Sequence, residues 1–217
     1  MNLLLIGAPG TGKGTMSEML VKDHGLVHIA TGDILRQSIK EGSEVGQKAQ
    51  SYIEKGLLVP DEVIHDIIVD RLMKDDVKTG FLMDGYPRNT EQAQDFDTIL
   101  EQVGMRIDLV ILLDLDEEIL KGRITGRRLC KDCGQIYHVV TKPSKVEGVC
   151  DSCGGPLYTR KDDTLESLKT RLEEYHNATM PIIEYYSKQG LLKTVDASQP
   201  KENVYASIIK LLGEVND

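Results

Sequence analysis

The sequence predicts a doubly wound α/β fold on a parallel five-stranded sheet, and three observations carry that prediction. Five short apolar runs recur along the chain, at 2–6, 26–30, 80–84, 108–115 and 192–196. Most are continuously apolar rather than alternating, as strands covered on both faces must be. Helical periodicity fills the segments between them, and strand–helix alternation implies right-handed crossovers onto a parallel sheet.

The elements follow in order. The first run, Leu3-Leu4-Leu5-Ile6, reads as a buried strand and leads directly into a glycine-rich loop and a helix. Pro60-Asp61-Glu62 opens another helix, because Pro suits a helix start and acids suit its positive end. In 90–103, Ala93, Phe96, Leu100 and Val103 share one face, with Asn89 or Thr90 as the N-cap. A long helix is expected over about 163–189, with Asp163 and Glu166 in capping-box spacing and a kink or break at Pro181. The stretch from Cys130 to Asp163 is different: it holds all four Cys, several Gly, Pro143 and Pro156, and few helix formers. It reads as a small metal-stapled insert in the main unit.

Size and charge bound the function. A chain of 217 residues suits one main unit, 1–217, with small inserts. The formal net charge of -9 gives no overall pull toward nucleic acid or anionic membranes, so any polyanion must bind in a local basic pocket. No stretch approaches the roughly 20 apolar residues of a membrane span. The run at 3–6 is too short for a signal-peptide core and lacks a basic flank. A cytoplasmic protein is therefore expected, with no nucleic-acid or membrane partner.

The loop after the first strand is Gly7-Ala8-Pro9-Gly10-Thr11-Gly12-Lys13-Gly14-Thr15, the strand–Gly-rich loop–helix arrangement of a P-loop. Phosphate oxygens need several backbone N–H groups converging on one point. Glycines allow the backbone angles, and the following helix aims its positive end at the anion. Lys13 can reach terminal phosphates as a point charge, and Thr15 offers a hydroxyl near metal and phosphates. Gly14, between Lys13 and the hydroxyl residue, departs from the common P-loop pattern. Asp84 ends the strand run Phe81-Leu82-Met83-Asp84, where P-loop enzymes hold Mg²⁺, usually through water. Asp33 is a second candidate. Asp84 is followed by Gly rather than by an acid able to activate water, which argues against a motor-type ATPase. The absence of an Asn-Lys-x-Asp segment argues against a GTPase.

Further segments carry a resemblance: Thr31-Gly32-Asp33-Ile34-Leu35-Arg36, Asp84-Gly85-Tyr86-Pro87-Arg88 with Gln92, Thr125-Gly126-Arg127-Arg128, Tyr158-x-Arg160-x-Asp162-Asp163, and Arg171. With the P-loop they span nearly the whole chain and resemble the nucleoside monophosphate kinases, most closely the long-lid, zinc-containing bacterial adenylate kinases. Met16, the pair Ile34-Leu35 and Ala197 stand where that pattern carries Gln, Met-Phe and Gly. The arginines also make sense alone. Two anionic nucleotides held phosphate to phosphate repel each other, and fixed cations cancel that repulsion, Arg adding a bidentate fork. Arg128 is read as a surface residue.

Cys130-x2-Cys133 is followed after sixteen residues by Cys150-x2-Cys153. Two such pairs supply four thiolates for a tetrahedral structural Zn²⁺. Such a staple replaces the core that a small insert cannot build. His138, close by, is read as a packing residue rather than a ligand.

The resemblance implies reversible, Mg²⁺-dependent transfer between ATP and AMP giving two ADP, by a monomer. The close alternative is a kinase of UMP/CMP or GMP. A zinc-dependent nucleic-acid module would need a basic insert with exposed aromatics. This insert has mixed charge and only Tyr137 and Tyr158. By resemblance, Gly10, Thr11, Gly12, Lys13, Gly14 and Thr15 hold the ATP phosphates. Arg127 contacts ATP, and Arg123, Ile136, Tyr137 and Gln199 lie near its base or ribose. Thr31, Arg36, Leu57, Leu58, Val59, Gly85, Tyr86, Pro87, Arg88, Gln92, Arg160 and Arg171 serve AMP and the transferred group. The catalytic set is Lys13, Arg88, Arg127, Arg160 and Arg171. Two mobile segments are implied, 30–59 over the monophosphate and 126–163 over ATP.

Overall fold

A computed structural model describes residues 1–216. The main sheet consists of β1 (Leu3–Ile6), β2 (Val27–Ala30), β3 (Phe81–Asp84), β4 (Leu109–Asp114) and β8 (Leu192–Asp196), in the order β2-β3-β1-β4-β8 and parallel throughout. All five predicted strands are present within one or two residues of their expected ends. Their continuous apolar character has a direct cause. Leu4 and Ile6 of β1 point into one core with Met83, Val110 and Leu112. Leu3 and Leu5 point into the other with Leu82, Leu109 and Ile111. Residues of the three central strands, β1, β3 and β4, thus need apolar side chains whichever face they take, up to the aspartates that end β3 and β4.

The helices are α1 (Lys13–His24), α2 (Thr31–Glu41), α3 (Glu44–Lys55), α4 (Asp61–Leu72), α5 (Thr90–Gln102), α6 (Glu117–Thr125), α7 (Leu165–Glu174), α8 (Met180–Lys188) and α9 (Lys201–Asn216). The cap of α5 is Asn89, whose side chain accepts from the Gln92 amide at 2.7 Å. Its buried face includes Ala93, Phe96, Ile99 and Leu100.

The long helix expected over 163–189 differs from expectation at two points. It is capped by Thr164, whose hydroxyl accepts from the Ser167 amide at 3.1 Å, and not by Asp163. Asp163 is withdrawn because its carboxylate pairs with Arg127. Further along, α7 passes through a π-helical turn at Tyr175–Thr179 before α8. Pro181 at the start of α8 has no N–H to give and its ring crowds the preceding turn. Widening that turn accommodates it without ending the helix.

The segment 126–163 forms a second, three-stranded antiparallel sheet from β5 (Arg127–Cys130), β6 (Ile136–His138) and β7 (Leu157–Tyr158), ordered β6-β5-β7. Its own core is small: Cys130, Tyr137 and Cys150, with Leu157 packed against them. Among the described residues no helix is long and apolar enough to cross a membrane.

Helices α2 and α3 cross so closely that a Cβ at Gly46 lies 2.2 Å from the Ser38 carbonyl oxygen. The obstacle is backbone, which cannot rotate away. Gly46→Ala should therefore destabilise the protein by about 1–3 kcal/mol through overpacking, read as a lower urea midpoint. An unchanged midpoint would mean that the two helices separate freely.

Candidate functional site

The carboxyl ends of the parallel strands all point to one side. There the loops after β1, β2 and β3 open onto a cleft of about 1720 Å³. This is where open α/β sheets bind ligands. A smaller space of about 60 Å³, between α2 and the loop after β3, adjoins it. Apart from the thiol cluster, every residue expected to touch a nucleotide lines one of these two spaces.

The P-loop is held from beneath. Ala8 packs with Leu120 and Ile124 of α6 and with Leu168 and Leu172 of α7. Gly10 and Gly12 have φ of 92° and 102°, left-handed angles that favour glycine. At Gly14 the space is tight. A Cβ there would meet Ile136 Cδ1 at 3.2 Å, so the β5–β6 sheet sits directly on the loop. Lys13 Nζ donates to the Gly7 and Ala8 carbonyls at 2.7 and 3.1 Å. Arg123 of α6 donates to the Thr11 carbonyl at 3.2 Å and the Ala197 carbonyl at 2.9 Å. It thereby ties the P-loop to the turn after β8.

On the other side, Thr31 opens α2 and donates to the Asp84 carbonyl at 3.4 Å. Arg88 is anchored three ways. Its Nε donates to the Gly85 carbonyl at 2.7 Å, its amide to Gln92 Oε1 at 2.7 Å, and its carbonyl accepts from Thr179 at 2.9 Å. Arg36 and Arg160 share Asp33 Oδ1, at 2.6 and 3.1 Å. Arg171 meets Asp162 at 3.2 Å, and Arg127 forks onto Asp163, its Nε at 2.9 Å from Oδ2.

The electrostatics follow from burial. Desolvation takes Lys13 from 10.5 to about 8; Asp84 opposes this, while Arg171, Arg88 and Arg127 add to it. Burial likewise lowers Arg88 and Arg160, and lowers Arg171 to about 10. For Asp84, burial alone would raise the carboxyl. His28, Lys13 and Arg88 outweigh it and hold the group below the usual carboxylate range. Buried cations thus converge on a point with too few carboxylates, an arrangement that polyphosphate would complete.

The four cysteines come together as their spacing predicted. Thiolates about 2.3 Å from a tetrahedral centre lie about 3.8 Å apart. Here the Cys130–Cys153 and Cys133–Cys150 sulfurs are 3.4 and 3.6 Å apart, and all four lie within 4.8 Å of one another. Both pairs are matching knuckles. The Gly134 amide bonds the Cys130 carbonyl at 3.1 Å and the Gly154 amide the Cys150 carbonyl at 2.9 Å. The donor set fits a structural zinc ion. His138 stays outside it: Nε2 lies 3.0 Å from the Gly122 carbonyl, and Nδ1 accepts from the Val140 and Thr141 amides.

The adenylate kinase family profile matches residues 5–191. The chain belongs to the adenylate kinase family. Relatives named adenylate kinase match at full length. That of Caldicellulosiruptor saccharolyticus is 48% identical over 213 residues, 98% of this chain and 99% of the relative. That of Agathobacter rectalis is 45% identical over 214 residues, 99% of this chain and all of the relative. That of Desulforamulus reducens is 49% identical over 209 residues, 96% of this chain and 98% of the relative. Membership makes the chain a phosphotransferase.

Several residues that shape this adenylate-kinase-type cleft have partners that the sequence does not reveal. Asp162 and Asp163 stand in a quoted motif, yet only the structure shows them as partners of Arg171 and Arg127. Asp61 read as a helix-start acid. It also takes Gln92 Nε2 at 2.5 Å and Asn89 Nδ2 at 3.1 Å, fixing the turn that carries Arg88. No local signal links positions 61 and 92. Tyr137, expected near the ATP base or ribose, lines the cleft but is largely buried in the thiol knuckle, its hydroxyl accepting from the Asp151 amide at 2.7 Å.

The depressed Lys13 has a testable sign. Between pH 8 and 10.5 the unfolded chain keeps a proton that the folded chain has lost. This group therefore makes the ligand-free protein more stable as pH rises through that window. Labelling of Lys13 with an amine reagent, followed by mass spectrometry against pH, should show a midpoint near 8. ATP should move the midpoint upward, because a polyanion favours the ammonium. A midpoint near 10.5 in the ligand-free protein would contradict the burial argument.

Proposed function

We propose that this chain catalyses reversible, Mg²⁺-dependent phosphoryl transfer from ATP to AMP, giving two ADP. The observation that carries the reading is that Lys13, Arg88, Arg127 and Arg171 all line the cleft, with Arg88 and Arg171 lining the adjoining smaller space as well. One space is floored by the P-loop and the other lined by Thr31, Val59, Gly85 and Gln92. In this reading Gly10 to Thr15 bind the ATP phosphates, and Arg123, Ile136, Tyr137 and Gln199 bound its nucleoside. Thr31, Arg36, Leu57, Leu58, Val59, Gly85, Tyr86, Pro87, Arg88 and Gln92 receive AMP.

The chemistry asks for position and charge. An AMP phosphate oxygen is already anionic and needs no general base. Lys13, Arg88, Arg127, Arg160 and Arg171 orient the two phosphates in line and spread the charge that develops between them. Asp84, with Asp33 nearby, fits Mg²⁺ held through water, and that ion would neutralise charge on the ATP phosphates. Cys130, Cys133, Cys150 and Cys153 fit a structural Zn²⁺. The segments 30–59 and 126–163 serve as covers over the two nucleotides. The Arg160–Asp33 pair supports this, since it joins the two segments at the cleft. The protein acts as a monomer in the cytoplasm.

With ATP alone the second space is empty and the arginine set incomplete. Phosphate release should then be slow, and ADP should form rapidly once AMP is added. A coupled assay with AMP, UMP, CMP and GMP reads both the reaction and the acceptor. Brisk phosphate release without AMP would make the chain a hydrolase, and preference for another monophosphate would move it to a sister kinase.

Freshly purified, reduced protein should contain about one zinc per chain by elemental analysis. Chelation should lower the melting temperature more than it lowers activity at low temperature. Protein free of metal with an unchanged melting temperature would refute the staple.

A further inference from the structure

His28 has no part in the mechanism above, yet it stands beside it. It lies on β2, and its register partner on β3 is Leu82; Asp84 pairs with Ala30. His28 and Asp84 are therefore diagonal neighbours, two residues apart in register, on the same face of the sheet. Both line the cleft. The His28 Nε2 atom is buried from solvent and, among the described residues, has no hydrogen-bond partner. Its nearest carboxylate oxygen is Asp84 Oδ2, at 3.9 Å, too far for a hydrogen bond. A buried ring nitrogen left unpaired costs free energy, and closing about 1 Å would give it a charge-assisted partner.

We propose that His28 is a positioning residue for Asp84: its Nε2–H closes onto Oδ2 when the cleft fills, fixing the carboxylate and leaving Oδ1 for what binds in the cleft. The direction of closure is reasonable physically. Asp84 sits at the end of β3, its Oδ2 3.9 Å from His28 Nε2, and its 15% side-chain exposure leaves it little solvent to compete. The imidazole needs only its Nε2–H for this task. This inference rests on the kinase reading, because the consequence of fixing Asp84 is tighter holding of the nucleotide's divalent ion.

The test compares H28N with H28Q. Both carry the same amide, but one methylene decides whether its N–H can span to Asp84. Mn²⁺ serves as the probe, its binding to the protein–ATP complex measured by electron paramagnetic resonance. Metal-free ATP binding in chelator and melting temperature are measured alongside. H28N is expected to weaken Mn²⁺ binding about fivefold or more and to raise the metal concentration needed for half-maximal turnover, with metal-free ATP binding unchanged. H28Q is expected to recover most of the affinity. Unchanged Mn²⁺ binding in H28N would overturn the proposal. Equal weakening in both variants would also overturn it, by showing that the ring's packing matters and its N–H does not. A loss that appears equally in metal-free ATP binding would do the same. Failure of the kinase reading would look different, since the unaltered protein would then form no ADP from ATP and AMP.

Discussion

Buried positive charge is the constraint on which the rest of the molecule depends. Lys13, Arg88, Arg160 and Arg171 are all held where water cannot reach them well, and each is pushed toward losing its proton. Like charges this close repel strongly once desolvated. The fold tolerates them because Asp33, Asp84, Asp162 and Asp163 stand among them. The result is a cleft preorganised for polyanion inside a chain whose net charge is -9. Charge of the whole and charge of the site have opposite signs, which restricts anion binding to one place.

The same constraint accounts for the second sheet. Arg127 enters it and Asp163 leaves it, and their pairing closes the base of the segment. That pairing displaces the helix cap to Thr164. Between those ends the segment buries only a few side chains and is organised by two thiol knuckles of matching backbone geometry. So small a core offers little burial to hold Ile136 near Gly14, and the four clustered thiols are a donor set that could supply a metal staple.

Much of the site was legible because its chemistry is local. The P-loop needs its glycines, lysine and hydroxyl in one short order, and a tetrahedral thiolate site needs two Cys-x2-Cys pairs. Gly14 illustrates the limit: it is visible in the sequence as a departure, but that position 136 closes the space above it is a fact of tertiary structure. The aspartates show the same limit. Whether Asp61 caps a helix or steadies the turn bearing Arg88 depends on a neighbour about thirty residues away.

The sequence by itself determined the sheet, the phosphate loop and the thiol cluster, because periodicity, turn chemistry and ligand spacing act over a few residues. Tertiary structure alone decided which acid answers which arginine, where α7 begins and how the chain passes Pro181 into α8, and that His28 faces Asp84. Those outcomes depend on distances between residues far apart in the chain. Such distances are set by how helices cross and strands register, and no local pattern encodes them.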